Sequence, residues 1–340
     1  DATIAAFSAV SGNAQASSTE GNAVADSTVN DNAGANTYLS QVGTDATITT
    51  SATSTQTSKA TTVTLDAVAT SQSIKNIGFD SDGVTAIGES LQLNSTSIAT
   101  NRSEAVSIDD DATARSKTVE SIGIDSSALL AVGTDAEIRG QTGLVNQATA
   151  STVGNGTIDG DAGSEEDSAI AEALTTTNTG FRADKATTSV GTDGLVIATA
   201  ENNNQVSATA TDGQAVADIA IGESLGLDLG LELSSQSLSF GQSGQVKGSS
   251  TATNRADAVT TNGDSDADIS VDTAHGIGAG GGNLSIGADG VIDADVDYAN
   301  TAVSTSTDGN DEGIDGVTQA TINNDSVHGI DLQTLQIGNE

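Results

Sequence analysis

The sequence predicts an all-β chain: a β-solenoid of parallel β-helix type, built from about seven imperfect repeats of roughly 50 residues. Three observations predict it. Paired glycines recur along the chain, β-branched residues alternate with small polar ones, and proline is absent from all 340 residues.

The glycine pairs come first because repeats decide architecture before any local reading does. The clearest copy is Ile122-Gly123-Ile124-Asp125 followed by Val132-Gly133-Thr134-Asp135. Ile77-Gly78 with Ile87-Gly88, Ile277-Gly278 with Ile286-Gly287, and Gly329 with Ile337-Gly338 share the shape. Looser copies pair Gly34 with Gly43, Gly180 with Gly191, and Gly230 with Gly241. These divide one continuous repeat domain, 1–340, into approximate repeats 1–43, 44–88, 89–133, 134–191, 192–241, 242–287 and 288–340. Longer echoes point to growth by duplication. Ala99 to Val106 returns as Ala252 to Val259, and Ile87-Gly88-Glu89-Ser90-Leu91 returns as Ile221-Gly222-Glu223-Ser224-Leu225. The recurring glycines are expected at corners that need positive φ.

Alternation supplies the strands. Ala46 to Thr53, Leu195 to Ala200 and Val206 to Thr211 follow the period of two that marks half-buried strands. Gly, Asn and Asp clusters separate them as turns. Ser168 to Leu174 is the best helix candidate. A 50-residue block is too small to stand alone, and fits two or so coils stacked on their neighbours. Absent proline suits strands whose every N–H joins a ladder, where average usage would give about 17. Two Tyr, four Phe and no Trp rule out one thick aromatic core and argue against a tandem array of sandwiches.

Charge narrows the partners. The net charge is −37, which excludes nucleic acid as a natural partner, because phosphate binding needs basic patches. No apolar run approaches the roughly 18 residues of a membrane span. With no cysteine, disulfides say nothing about compartment. The first residue, Asp1, is not Met, so a processed chain or a segment of a longer one is expected.

The ends share a phase. Leu335-Gln336-Ile337-Gly338-Asn339-Glu340 joined to Asp1-Ala2-Thr3-Ile4 reads like Val42-Gly43-Thr44-Asp45-Ala46-Thr47-Ile48 with one extra residue. Head-to-tail copies of the chain itself are therefore the expected partner, through a heterologous interface that propagates.

No required cofactor and no catalytic group is expected. The acidic clusters suggest calcium: Asp264, Asp266, Asp268 and Asp272 in a D-x-D-x-D pattern, with Asp80 and Asp82 weaker. They lack the glycine and bidentate Glu of an EF-hand loop. Asp109 to Asp111, Asp159 with Asp161, and Asp308 with Asp311 and Glu312 are further candidates. Divalent cations and surface glycans complete the partner list. His275 and His328 share an H-G-I motif, and repetition assigns them a structural role. No nucleophile elbow, zincin, P-loop or dinucleotide fingerprint is present, so an enzyme is not expected.

In composition and architecture the whole chain resembles repetitive, acidic surface-fibre and adhesin proteins of bacteria. That resemblance implies secretion, length and attachment or matrix building. The expectation is a structural subunit of an extracellular filament or surface layer. A stalk segment of a larger cell-surface adhesin, or a viral fibre, is the alternative.

Overall fold

The computed structural model describes residues 2–37, 40–42, 44–81, 85–126, 130–153, 167–183, 188–230, 237–307 and 317–338. Among the described residues, twenty strands follow one another in seven circuits. The first holds β1 (Ala2–Ser17), β2 (Ala23–Val29), β3 (Asn32–Thr37) and β4 (Ser40–Val42). The second holds β5 (Ala46–Thr61), β6 (Ala67–Ser81) and β7 (Thr85–Ile87). The third holds β8 (Gln92–Ser107), β9 (Ala112–Ser126) and β10 (Leu130–Val132). The fourth holds β11 (Glu137–Thr152), β12 (Ala169–Arg182) and β13 (Thr188–Val190). The fifth holds β14 (Leu195–Asp212), β15 (Ala215–Asp228) and β16 (Ser237–Phe240). The sixth holds β17 (Gln245–Asn262) and β18 (Ser265–Ile286), and the seventh β19 (Val291–Ser306) and β20 (Thr318–Ile337).

Every pairing is parallel and joins one circuit to the next. The long strands that open each circuit form a seven-stranded sheet, β1-β5-β8-β11-β14-β17-β19. The returning strands form a second face, and the short strands a third that β18 joins to it by running through both. Such stacked parallel strands are consistent with a β-solenoid. Register partners lie one repeat apart, as in Ala52 with Ser97 and Ser97 with Thr142. One repeat therefore makes one circuit, where the sequence suggested two. Each circuit has three faces, which consume the residues that would have made a second turn.

Among the described residues there is no helix. Ser168 to Leu174 is a correction: β12 starts at Ala169 and buries Ala169, Ala171 and Ala173 on one face. Helix-favouring Ala, Glu and Leu yield there to a ladder with β9 on one side and β15 on the other.

The interior is graded along each circuit. Where the opening strand turns into the returning one, the space is narrow and filled with alanine: Ala60, Ala105, Ala150 and Ala208 against Ala67, Ala112, Ala169 and Ala215. At the wide end Ile48, Leu93, Ile138, Val196 and Val246 meet Phe79, Ile124, Phe181, Leu227 and Ile277. Small side chains suit the narrow gap and branched or aromatic ones the wide gap, because interiors pack to near-crystalline density.

Between the two apolar clusters runs a polar seam. Asn101, Asn146, Asn204, Asn254 and Asn300 stack in register, each Nδ2 donating to the next Oδ1 at 3.0, 3.1, 2.9 and 2.8 Å. Asn146 also donates to Thr175 Oγ1 and accepts from Thr118 Oγ1, both at 3.1 Å. Further polar pairs cross the interior beside it: Ser54 with Ser73, Ser97 with Ser121, and Asn178 with Asn202. An amide has donors and an acceptor on opposite sides, so identical amides one circuit apart satisfy each other.

Glycines follow two columns, and among the repeat glycines the expected positive φ is found at Gly338 and at Gly230, which lies outside the columns. In the first, Gly34, Gly78, Gly123, Gly180, Gly226 and Gly276 lie over one another where the returning strand closes on the opening one. A Cβ on Gly123 would stand 2.5 Å from Gln141 N, and one on Gly78 would stand 2.7 Å from Gly123 O. The reason for glycine is backbone crowding, not positive φ. Two assignments shift with the register. Leu225 pairs with His275 and Leu227 with Ile277, so Gly226 and Gly276 belong to the column, not Gly230 and Gly278. Gly278 instead lies beside Asp228 and Asp331.

The second column holds Gly88, Gly133, Gly191, Gly241 and Gly287, again in backbone contact from circuit to circuit. Gly338 N donates to Ile286 O just as Gly287 N donates to Phe240 O. Gly43 lies outside the described residues. Positive φ falls two residues later, on Asp45, Ser90, Asp135, Asp193, Ser243 and Asp289. Asp tolerates the left-handed region better than most side chains. Each such N–H in the first five circuits bonds across to the next circuit, as Asp135 N does to Thr192 O at 3.0 Å. Gly222 is not in either column. It lies inside β15 at an irregularity beside Thr176, so its echo of Gly88 is a likeness of sequence and not of place.

Candidate functional site

The first and last circuits differ from the others in having a neighbour on one side only. Strand β1 pairs with β5 alone, β19 with β17 alone and β20 with β18 alone. Each leaves a row of backbone donors and acceptors of the kind that templates strand addition. Side chains tell the same story. Ile4 is 48 % exposed, while Ile48 above it is 5 % and Leu93, Ile138, Val196 and Val246 in the same column are 0 %. At the other end Ile330 is 43 % and Leu335 44 % exposed, over Ile277 and Leu284 at 0 %. Thr3 pairs with Thr47 and is exposed. The backbones of Ala2 and Ile337 pair with Ala46 and Ile286. Asp1 lies outside the described residues.

Among the described residues, the expected calcium ligands form no group of three with ligand atoms all within 4.8 Å of one another. Asp266 and Asp268 alternate with buried Ala267 and Ile269 and so project from the outer face of β18. The carboxyl groups of Asp266 and Asp268 reach each other across that face, and both act on Asp218 in the preceding circuit. Asp264 Oδ1 instead accepts from Val317 N at 2.7 Å. Asp272 accepts from Ser270 Oγ at 3.5 Å. Asp80 is buried and pairs with Lys75 Nζ at 3.2 Å. The carboxylate of Asp125, one circuit on, takes Arg182 Nη2 at 2.6 Å. These two acids belong to structural ion pairs. Asp82, Asp159, Asp161, Asp308, Asp311 and Glu312 lie outside the described residues.

Among the described residues, two groups bring at least three possible ligand atoms within 4.8 Å of one another: Asp66 with Asp110 and Asp111, and His275 with His328 and Asp331. The first is partly occupied by local bonds, since Asp110 Oδ1 accepts from Asp111 N and Asp111 Oδ1 from Ser168 N. The second was hidden in the sequence by a separation of one circuit. Its signal was the repeated H-G-I, which places two identical residues in register on adjacent strands. Burial pulls the His275 imidazole below its ordinary pKa; Asp331 opposes this and His328 adds to it.

The charged outer face of the returning strands carries one column in register: Arg115, Glu172, Asp218, Asp268. Arg115 Nε meets Glu172 Oε2 at 2.5 Å, but Asp218 stands between two acids. Partial burial, then Asp268, Asp266 and Glu172, push its carboxyl up to about 6. The folded pKa lies above the unfolded one, so the stabilisation is complete below about pH 4 and is lost as pH rises through about 6. Asp218→Asn should raise stability at pH 8 by roughly 1 kcal/mol, allowing for solvent screening of a half-buried group. It should also flatten the dependence between pH 4 and 7, as urea midpoints measured across that range will show.

No helix among the described residues is long and apolar enough to cross a membrane. No protein-family model matches the chain, and neither does a curated protein or a solved structure. The geometry of the two open edges and of the charged faces carries the functional reading.

Proposed function

We propose that the chain is a β-solenoid subunit of an extracellular filament or surface layer, whose copies add head to tail by continuing the stack. The observation that supports this is the contrast in burial within single columns: the outermost circuits expose the aliphatic positions that every inner circuit covers. Carrying the register forward one circuit sets Ile292 of one copy against Ile4 of the next, and Ile330 against Ala35. The junction then repeats the contacts inside the subunit. Such an interface is heterologous and open-ended. A net charge of −37 makes copies repel, so assembly should strengthen as salt shortens the screening length.

Negative-stain microscopy and sedimentation of the purified chain test the reading. The expected result is uniform filaments, or sheets in a surface layer, favoured by salt. Ile4→Asp blocks one end and Ile330→Asp the other. Each variant alone should stay monomeric, and an equimolar mixture should stop at dimers. Filaments of wild-type length from both variants would refute the junction, and short unassembled rods at all salt concentrations would favour a stalk segment of a larger surface adhesin.

A further inference from the structure

We infer that His275, His328 and Asp331 form a binding site for a borderline divalent transition metal, represented by zinc(II), with water completing its shell. The argument begins with the ladder. In-register parallel pairing of β18 and β20 sets His275 beside His328. The ring centroids are 5.3 Å apart and His275 Nε2 lies 3.4 Å from His328 Nδ1. Two imidazole nitrogens bound to one tetrahedral zinc at about 2.05 Å stand about 3.3 Å apart. The observed spacing is therefore already that of two ligands on one ion.

Asp331 supplies the third group. It lies three residues beyond His328, and one ring nitrogen of each histidine and a carboxylate oxygen of Asp331 all lie within 4.8 Å of one another. Its register partner is Gly278. A Cβ on Gly278 would stand 2.9 Å from His275 Nδ1, so glycine there keeps open the space beside the ring. His275 is 6 % exposed and held from below, while His328 and Asp331 lie on the edge strand, where an ion can enter. Two nitrogens with one carboxylate select zinc, copper, nickel or cobalt over calcium, which takes oxygen ligands. The ion would clip the sixth circuit to the seventh.

The full chain, stripped with a chelator, is titrated with zinc against a chromophoric competitor and with cobalt(II) followed by its visible absorption. One equivalent per chain should bind with a dissociation constant at or below the micromolar range. His328→Ala and Asp331→Asn change exposed edge residues, and each should weaken zinc more than about tenfold while leaving the far-ultraviolet dichroism unchanged. Asp266→Asn, on the outer face of β18, should leave the affinity unaltered. Absence of zinc binding by the wild-type chain, or equal affinity in His328→Ala, would overturn the site.

Discussion

Gly123→Ala should cost more than about 4 kcal/mol, or prevent folding altogether, placing it among the most damaging single substitutions the chain can suffer. The added methyl meets backbone on two sides. It would stand 2.5 Å from Gln141 N on the opening strand, and would also collide with Gly180 O in the next circuit. Neither group is the flexible end of a side chain. Gln141 pairs with Thr96 and Thr199, and β9, which carries Gly123, is locked between β6 and β12. Relief would require the two sheets to part along several circuits, which ordinary overpacking, at about 1–3 kcal/mol, does not demand. Gly143→Ala is the matched control. Its methyl would find only Ile98 Cγ1 at 3.9 Å, an ordinary contact. Losing glycine's unfolded-state freedom should then raise stability by about 0.5 kcal/mol. Urea or thermal midpoints of the two variants, measured side by side, decide the matter. A Gly123→Ala protein as stable as wild type would mean that the sheets do not close on each other there.

The second large effect is expected at the amide seam. Asn146→Ala removes two donated and two accepted hydrogen bonds at a fully buried position. It takes the donor away from Thr175 Oγ1 and Asn204 Oδ1 and the acceptor away from Thr118 Oγ1, while Asn101 Nδ2 keeps Lys117 O and Thr118 Oγ1. Each buried group left unsatisfied costs about 1–3 kcal/mol, so a total near 4 kcal/mol follows even with partial relaxation. Asn300→Ala, at the half-exposed end of the same column, should cost only about 1 kcal/mol, because water reaches its partners. The difference between the two separates a cooperative ladder from a set of independent contacts. Equal costs at both positions would show that the amides act independently of their place in the stack.

Strands were legible because one face of each inner-circuit strand is buried. Ala46 to Thr53 alternates in sequence and alternates in burial within β5. The absence of proline follows from ladders that leave no N–H to spare. What the sequence concealed is what register alone determines. Gly230 and Gly278 resemble members of the glycine column, yet Gly226 and Gly276 occupy it, since close approach depends on which backbone lies opposite. The roughly 50-residue length of a repeat suggested two or so coils, and its paired glycines, 9 to 11 residues apart, suggested corners. Those glycines mark the sheet-to-sheet closure and the last corner of one circuit. Six left-handed corners went unread because Asp and Ser fill them, while Gly230 and Gly338 take positive φ as expected. The D-x-D-x-D run read as a candidate chelating loop, but Asp266, Asp268 and Asp272 lie on an extended strand, where Asp266 and Asp268 share its outer face. His275 and His328, 53 residues apart in sequence, become neighbours only when the circuit length is known.

Parallel pairing from one circuit to the next has a mechanical consequence. The hydrogen bonds between circuits point along the stack, so a pull on that axis distributes its load over all three faces at once. Rupture under such tension requires whole cross-sections to fail together. A force that peels one corner loads the bonds singly and meets far less resistance. A fibre of such subunits would resist stretching while remaining open to unravelling from a free end.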